Sequence, residues 1–348
     1  MASPTSGPKR STIKDVAKKA GVAISTVSLV MNGKGFVSNE TSTRVLNVAK
    51  QLNYVPRQAA RKLPMQSTGN IGFVLRADHF ARSEPFYTRI FLGTEFEAHF
   101  HGLYVLLTTI PQKFDASLHT PRFLQERNVD GVLIAGKVDS DFIESIAGAR
   151  IPLVLIDYQL KDHPAVVIDN QQGAKLAVEH LVSKGHEDIA FLGADMLHPS
   201  LKERLEGYRI GLNDARLGKP SCEIVSDQGE PDYGTGFELS QQIFECSKRP
   251  TAVFCANDSI AMGLLDQAAS QGIRVPEDLA VVGFDDVARE DHFRPSLTTV
   301  RVYKEQLGEL AMKYLNELMA GFPATYPNFE RRSHIVRVPT ELIIRESS

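Results

Sequence analysis

The stretch TIKDVAKKAGVAISTVSLVMN, residues 12–32, decides how the N-terminal part of the chain folds. Its first apolar residues recur at i, i+3, i+4 and i+7, which predicts one buried face of a short helix. They are Ile13, Val16, Ala17 and Ala20. Ser11 or Thr12 would cap this helix, and Gly21 would end it. A second short helix is predicted over 24–32, so the stretch shows two short helices joined by a glycine-containing turn, the helix-turn-helix pattern.

A third helix is predicted to begin at Ser38, whose hydroxyl suits an N-cap. Five apolar residues on one of its faces would pack on the first two helices, and they are Val45, Leu46, Val48, Ala49 and Leu52. From the second helix, Val27 and Val30 would join this core. Residues 11–56 are therefore predicted to form a three-helix unit that follows a disordered tail over residues 1–10.

The charge of the chain divides along its length. Residues 1–63 hold 11 Lys and Arg against two acidic residues, a local net charge of +9. The remainder holds 28 basic and 40 acidic residues, a local net charge of −12, although the whole chain carries only −3. A basic head on an acidic body indicates a polyanion-binding module joined to a body with another role.

In a helix-turn-helix, the second helix enters the major groove of DNA and its first residues meet the base edges. Here these are Ile24, Ser25 and, one turn later, Leu29. Leu29 would either touch a thymine methyl group or remain a little-used surface residue. Phosphate contacts position a protein without reading sequence, and the side chains expected to make them are Thr26, Ser28 and Asn32.

Residues 56–63, PRQAARKL, predict a further short helix that is too short to be stable alone. We expect it to become ordered on DNA, with Leu63 as an apolar wedge in the minor groove. Ala59 and Ala60 would permit close approach to a symmetric partner. The alternative is an ordinary basic linker. Residues 57–69 are therefore interpreted as a hinge helix and linker.

The rest of the chain, residues 70–348, alternates short apolar runs with helical segments. Continuous Val, Ile and Leu runs are typical of strands buried on both faces of a parallel sheet. Ten such runs form two series, at 70–75, 102–110, 129–136, 152–157 and 166–169, then at 186–194, 222–227, 251–258, 279–286 and 298–302. The pattern predicts an α/β fold with two doubly wound parallel sheets.

Ligands of such sheets bind beyond the carboxyl ends of the strands. Those positions are rich in Asp, Asn and Arg, with aromatic residues nearby, which suits a polyhydroxylated ligand such as a sugar. The candidate contacts are Arg76, Phe86, Tyr87, Tyr158, Asp169, Arg204, Asn257 and Asp285. For Asp258 and Asp286, we favour capping of the following helices.

Residues 12–32, continued by VSNETSTRVLNVAKQLNYVPRQAARKL at 37–63, resemble the lactose-repressor/galactose-repressor family of bacterial transcription regulators. We call the three-helix unit over 11–56 the headpiece. The motifs RLEG, ANDS and GFDD of the body resemble that family's effector domain, so the resemblance runs from about residue 10 to 346. Two positions depart from the family pattern. Ala23 stands where Ser usually caps the recognition helix, and Leu29 stands where Arg or His often contacts a base.

The resemblance implies roles for residues on both sides of the hinge. Tyr54 would contact the DNA backbone and Leu63 would wedge the central base step of the operator. DNA contacts are also assigned to Thr12, Ser38, Arg57 and Ala60. The effector would be bound between the two sheet-containing lobes of the body. One lobe would contact it through Arg204, Asn257 and Asp285, and the other through Phe86, Tyr87 and Tyr158. The aromatic residue that often stacks on the ligand is displaced, and Pro231 or Tyr233 could replace it.

The resemblance also implies an effector-binding and dimerisation domain over 70–348. Its first lobe would cover about 70–168 and 303–332, and its second about 169–300 and 334–348. Three crossings between the lobes would make a hinge that closes on the effector. We expect a homodimer on a pseudo-palindromic operator. Both an inducer and a corepressor remain open as the effector, and a nucleobase or another metabolite is the alternative to a sugar.

Enzyme motifs such as GxGxxG, GxxxxGK[ST], GxSxG and HExxH do not occur in the sequence. We therefore expect no catalysis, no metal and no cofactor. The three cysteines lack metal-site spacing and are interpreted as reduced thiols of a cytoplasmic protein. Neither an apolar run of membrane length nor a secretory signal is visible. A periplasmic-type sugar-binding protein remains the alternative class, against which the basic head counts.

Overall fold

A computed structural model describes residues 11–31, 36–52, 54, 67–79, 86–220, 222–227, 229–287, 295–321, 329–330 and 334–348. The chain divides into two compact units, Met1–Thr68 and Gly69–Ser348. Four residues with predicted DNA contacts lie outside the described residues, namely Asn32, Arg57, Ala60 and Leu63.

Three helices make up the described part of the first unit: α1 (Ile13–Ala20), α2 (Ile24–Met31) and α3 (Asn39–Gln51). The Thr12 side chain accepts from the Asp15 amide, and the Asp15 carboxylate accepts from the Thr12 amide, so a capping box begins α1. Gly21 ends α1 with a positive φ of 68°. Ser38 caps α3, since its hydroxyl accepts from the Thr41 amide at 3.3 Å. The three predicted helices and the Ser38 cap are confirmed.

The three helices share one small apolar core. Its buried members are Val16, Ala17, Ala20, Val27, Val45, Val48 and Ala49. Leu46 was expected in this core, but it is 50% exposed. It follows Val45 by one position, about 100° around the helix, and this rotation points it away from α1 and α2.

The first sheet of the second unit has seven strands: β1 (Asn70–Arg76), β2 (Tyr104–Ile110), β3 (Gly131–Ala135), β4 (Leu153–Ile156), β5 (Ala165–Ile168), β11 (Phe329–Glu330) and β12 (Ile335–Val338). Their order is β11-β12-β5-β4-β3-β1-β2, which leaves β2 at one edge. The associated helices are α4 (Phe86–Phe100), α5 (Ala116–His119), α6 (Arg122–Gln125), α7 (Ser140–Gly148) and α12 (Lys304–Ala320).

The second sheet has six strands: β6 (Ile189–Ala194), β7 (Glu223–Ser226), β8 (Ala252–Cys255), β9 (Ala280–Asp285), β10 (Thr298–Arg301) and β13 (Glu341–Ile343). Their order is β13-β10-β9-β8-β6-β7. The associated helices are α8 (Asn170–Ser183), α9 (Pro199–Asp214), α10 (Tyr233–Phe244) and α11 (Asp258–Ser270). All ten predicted strands are present, and the two lobes are α/β as predicted.

The last crossing between the lobes lies later than predicted. Residues 334–348 were all assigned to the second lobe, yet β12 pairs in parallel with β5 of the first sheet. Buried Ile335, Val336 and Val338 extend the first core, so the chain returns to the second lobe only between Val338 and Glu341. The sheets are also not wholly parallel, because β11–β12 and β10–β13 pair antiparallel.

Helices α4 and α12 of the first lobe touch through their backbones. A Cβ atom on Gly93 would collide with the carbonyl oxygen of Glu305, and one on Gly308 would collide with that of Ile90. Glycine at both positions therefore lets the two helices approach more closely than any side chain would permit.

The cysteines depart from the expected reduced state. The Sγ atoms of Cys222 and Cys246 lie within bonding distance, with Cα atoms 6.3 Å apart, whereas Cys255 is buried and unbonded. The link joins the residue before β7 to the segment after α10. Among the described residues, no helix is long and apolar enough to cross a bilayer.

Candidate ligand pocket and nucleic-acid interface

A cavity of about 260 Å³ lies between the two lobes of the second unit. Residues of both lobes line it: His79, Phe86, Tyr87 and Asp157 from the first, and Asp195, His198, Ser200, Leu201, Arg204, Glu230, Pro231, Asp232, Asn257 and Asp285 from the second. The sheets end here with their carboxyl edges, which is where ligands bind in such folds.

Arg204 of α9 is only 3% exposed, and its guanidinium is held on all sides. Nε donates to Asn170 Oδ1 at 2.9 Å and Nη1 donates to the Ala256 carbonyl at 2.8 Å. Nη2 lies 2.9 Å from Asp285 Oδ1, and Cζ lies 3.8 Å from the centroid of the Phe284 ring. The nitrogens of Arg204 already face protein oxygens, one of which belongs to the Asp285 carboxylate. Arg204 therefore helps to fix the position of Asp285, in addition to any contact that it makes with a ligand.

Asp285 ends β9 with a backbone that L-residues rarely adopt. Its φ is 108° and that of Asp286 is 52°. Such conformations cost on the order of 1–3 kcal/mol each and persist only where the surroundings hold them. Burial raises the pKa of the Asp285 carboxyl, while Arg204 and Lys304 act to lower it. The turn therefore points a buried carboxylate at the pocket.

A hydrogen-bonded group links the two lobes across the pocket. Asp157, at the end of β4, accepts from the Tyr87 hydroxyl at 3.1 Å and from the Ser200 hydroxyl at 2.8 Å. Ser200 belongs to the second lobe and the other two residues to the first. Nearby, Lys137 Nζ donates to the Leu197 carbonyl at 3.1 Å. Burial raises the pKa of the Asp157 carboxyl and, together with Asp157, that of the Tyr87 hydroxyl.

Aromatic rings form one wall of the pocket. His79 and Tyr87 stack with centroids 4.8 Å apart, and Phe86 meets Tyr87 edge-on at 5.0 Å. Gly136 lies behind them with a φ of 72°, and a Cβ there would be 2.6 Å from His79 Nδ1 and 2.7 Å from the Tyr87 hydroxyl. A glycine is therefore needed for these rings to pack.

His198 is buried and neutral at the start of α9. Its Nδ1 accepts from the Ser200 amide at 3.3 Å. Burial, reinforced by Arg204 and Lys137, lowers its pKa to about 3. Since Nδ1 accepts, the ring proton of the neutral form lies on Nε2, which makes His198 a hydrogen-bond donor on that side.

Of the eight residues predicted from sequence, five line the pocket: Phe86, Tyr87, Arg204, Asn257 and Asp285. Arg76, Tyr158 and Asp169 do not. Arg76 ends β1, and Tyr158 packs on the apolar cluster beside β3 and β4. Asp169 caps α8 by accepting from the Gln172 amide at 3.3 Å.

Helix capping at the strand ends differs from the expectation. Asn257 is the N-cap of α11, since its Oδ1 accepts from the Ile260 amide at 2.8 Å, and its Nδ2 donates to the Pro231 carbonyl. Asp258 instead accepts from the Thr299 hydroxyl at 2.5 Å, and burial raises its pKa to about 7. Asp286 forms ion pairs with Arg301 and Arg345, while residues 288–294, where the helix that it was expected to cap would lie, are outside the described residues.

The segment after β7 contributes Glu230, Pro231 and Asp232 to the pocket. Of the two residues proposed to replace the displaced aromatic, Pro231 lines the pocket and Tyr233 does not. The Tyr233 hydroxyl donates to Asp266 Oδ2 at 2.6 Å on the protein surface.

Eight residues that line the pocket were not predicted from the sequence as ligand contacts: His79, Asp157, Asp195, His198, Ser200, Leu201, Glu230 and Asp232. Two could have been found from helical spacing, because Ser200 and Leu201 precede Arg204 by four and three positions on one face. Asp157 follows a strand, which is the signal that identified Asp285.

The first unit presents α2 with its early residues accessible. Ile24 is 45% and Leu29 is 42% exposed, Ser25 is exposed, and Thr26 and Ser28 are partly buried. Exposed aliphatic side chains at these places suit apolar contacts with base methyl groups. Among the other predicted DNA contacts, the Thr12 and Ser38 hydroxyls act in helix caps, and Tyr54 packs on the bundle core.

Comparisons with known proteins match both units. Residues 12–57 match the model of bacterial regulatory proteins of the lacI family, and residues 178–348 match a periplasmic binding protein-like domain. Curated relatives include HTH-type transcriptional repressors PurR from Actinobacillus pleuropneumoniae serotype 3 and Mannheimia succiniciproducens. They are 32% and 33% identical to this chain, and each alignment covers 97% of this chain and 98% of the relative.

Solved structures agree. A Lac repressor dimer bound to operator and the anti-inducer ONPF has a TM-score of 0.83 at 26% identity and covers 97% of this chain and 99% of its own. A complex of the transcriptional regulator CelR with cellobiose has a TM-score of 0.71 at 28% identity, covering 97% of this chain and all of its own.

Proposed function

This chain belongs to the lacI family of bacterial regulatory proteins, and from that premise we propose that a small molecule bound between its lobes controls its affinity for operator DNA. The family is one of bacterial regulatory proteins, and the curated relatives are named transcriptional repressors. The observation that carries the proposal is the pocket lined from both lobes, with Asp157 of one bonded to Ser200 of the other. A ligand there contacts both lobes and shifts their arrangement by its differential affinity.

For the effector, we favour a nucleobase over the sugar expected from sequence. The relatives at 32% and 33% identity carry the name HTH-type transcriptional repressor PurR. The pocket supports a nucleobase, because a flat ring could stack on one of the two aromatic rings, Phe86 or Tyr87, which stand edge-on to each other. Buried Asp157 and Asp285 would accept from ring N–H groups, and His198 Nε2 would donate to a ring carbonyl.

Sugars are the second candidate, because the similar CelR was solved with cellobiose. Calorimetric titration with hypoxanthine and guanine, against glucose and cellobiose, separates the two classes. We expect saturable binding of a nucleobase and, at 100 times Kd, thermal stabilisation of about 2.7 kcal/mol. Saturable binding of a saccharide alone would replace the nucleobase assignment and keep the pocket.

Operator binding is proposed to use α2 in the major groove, with Ile24, Ser25 and Leu29 near base edges and Thr26 and Ser28 near phosphates. The short helix predicted over 56–63, with Leu63 as the wedge, is proposed to pair over the operator centre. That segment lies outside the described residues, so this part rests on the sequence.

Operator affinity should fall steeply with salt, because the +9 head replaces counterions on the phosphate backbone. For six to ten phosphate contacts, the association constant should drop about 10³–10⁵-fold between 50 and 200 mM salt. Gel shifts at several salt concentrations, on a DNA site selected from a random library, would measure how steeply the association constant falls with salt. A salt-independent affinity would contradict the phosphate contacts.

We propose a homodimer, joined in part through the outer face of the first lobe. Leu92, Phe96 and Phe100 recur every four residues along α4 and are 42%, 67% and 83% exposed. Leu107, on the same face of the sheet as Val105, which packs on the α4 side, is 37% exposed on β2, the edge strand of the seven-stranded sheet. Exposed aromatic patches of this kind mark interaction surfaces, and twofold symmetry would match two headpieces to a pseudo-palindromic operator.

A further inference from the structure

Lys304 is a buried lysine at the point where the chain passes from the second lobe to the first. Strand β10 ends at Arg301, and α12 begins at Lys304. The residue is only 4% exposed, which is unusual for lysine unless its ammonium is fully partnered. Lys304 does not line the pocket, and neither the family match nor the proposed mechanism gives it a task.

The ammonium group of Lys304 contacts three main-chain carbonyls. Nζ donates to the carbonyl oxygen of Asp285 in a short hydrogen bond, to that of Asp286 at 3.3 Å and to that of Val302 at 3.5 Å. An ammonium has three N–H donors, so these three acceptors satisfy it completely. Burial lowers the Lys304 pKa, while Asp285, Asp258 and Asp286 favour its charged form.

Two of those carbonyls belong to the residues with positive φ. Asp285 and Asp286 have φ values of 108° and 52°, and unfavourable backbone of this kind persists only when neighbouring groups hold it. The turn sets the direction of the Asp285 side chain, which lies 2.9 Å from Arg204 and lines the pocket. Lys304 therefore contacts the backbone whose shape points Asp285 at the pocket.

The same ammonium reaches the first lobe. Nζ lies 5.8 Å from the centroid of the Phe86 ring, within the range of a cation–π interaction. Phe86 lines the pocket at the start of α4, against which α12 packs. One buried cation thus touches the Asp285 turn of the second lobe and the aromatic wall of the first.

We infer that Lys304 is a positioning residue for the effector site, which holds the Asp285–Asp286 turn so that the Asp285 carboxylate faces the pocket. It acts through Asp285 and does not touch the effector. The inference uses the proposed function only in taking Asp285 as an effector contact. The competing interpretation is a purely structural lysine that stabilises the crossing without affecting the pocket.

Lys304→Met keeps the length of the side chain and removes the ammonium. Lys313→Met is the matched control, because Lys313 lies on the same helix, is 44% exposed and pairs with Glu97 at 3.5 Å. The rate of amide hydrogen exchange, measured without added ligand, reports how stably the Asp285–Asp286 turn is held. The Asp286 amide donates to Thr299 Oγ1 at 3.4 Å and the Val287 amide to Asp258 Oδ2 at 2.8 Å.

In Lys304→Met, we expect these two amides to exchange at least about tenfold faster, while α11 and β8 keep their rates. Lys313→Met should leave them unchanged. Unchanged exchange at Asp286 and Val287, or equal acceleration throughout the second lobe, would overturn the inference. If Lys304→Met does not fold, Lys304→Arg applies the same test, since it keeps the charge but not the three-donor geometry.

Guanine titration supplies the second measurement. Lys304→Met should weaken guanine binding at least about tenfold, and it should add little to the loss already caused by Asp285→Asn, because both act through one carboxylate. Additive losses would show that Lys304 does not act through Asp285. If the wild-type protein binds no guanine, the nucleobase proposal fails, and the exchange measurement still decides the role of Lys304.

Discussion

Arg204→Met should lower the free energy of unfolding of the second unit by about 3–5 kcal/mol and abolish effector binding. The substitution removes the guanidinium that lies 2.9 Å from the buried Asp285 carboxylate, and breaking a buried pair on one side costs about that much. It also removes the donors to Asn170 and to the Ala256 carbonyl. Urea denaturation followed by circular dichroism would measure the change.

The pH dependence of the free energy of unfolding tests whether the loss in Arg204→Met comes from the unpaired Asp285 carboxylate. Burial already raises the Asp285 pKa, and Arg204 opposes the rise, so the variant should raise it further. A carboxyl with a folded pKa above its unfolded value binds more protons when folded. Stability is therefore retained below the unfolded pKa and lost as pH rises through the folded one. Wild type and variant share the unfolded pKa, so the Arg204→Met deficit should grow only as pH rises from the folded pKa of Asp285 in the wild type to its higher folded pKa in the variant.

Arg209→Met on the same helix is the control for Arg204→Met. Arg209 is 54% exposed and donates to Glu223 at 3.0 Å on the surface. Exposed pairs contribute about 0–1 kcal/mol, so this variant should stay close to wild type. An equal loss in both variants, or a deficit independent of pH, would mean that Asp285 is not the group left unpaired.

Phe96→Asp combined with Phe100→Asp should convert the proposed dimer to a monomer and weaken operator binding about 10²–10⁴-fold. Each carboxylate would place a charge in an apolar contact, which costs far more than it gains. The operator would then be held by one headpiece at a time, and the effective concentration of the second would be lost. Analytical ultracentrifugation and gel shift would follow the two changes together.

Leu118→Asp is the matched substitution for this experiment, because Leu118 is 75% exposed on α5 of the same lobe but lies outside the row on α4. It should leave both mass and affinity unchanged. A dimer that survives the double substitution with full operator affinity would move the interface elsewhere on the chain.

The fold was predictable wherever one local pattern carried it. The i, i+3, i+4, i+7 recurrence found α1, and continuous apolar runs found ten strands. The short strand β12 was predicted in the wrong lobe, because its three buried residues would fit beside a strand of either sheet. Only its pairing with β5 distinguishes the two.

The pocket was predictable where a strand end or a motif marked it, as for Asp285 and Arg204. The Tyr87–Asp157–Ser200 group was not, because its members lie 70 and 43 positions apart and meet only when the lobes are folded. The N-cap of α11 was predicted at Asp258 but is Asn257, one position earlier. An Asn-Asp pair offers two suitable caps, and only backbone geometry selects between them.

The backbone contact between Gly93 and Glu305 has a mechanical consequence. Helix α4 begins at Phe86 in the pocket, carries the exposed row at Leu92, Phe96 and Phe100, and spans 15 residues, about 22 Å. Because no side chain lies between the two helices at this contact, we expect α4 and α12 to move as one body. A displacement of Phe86 would then be carried along α4 to its exposed row.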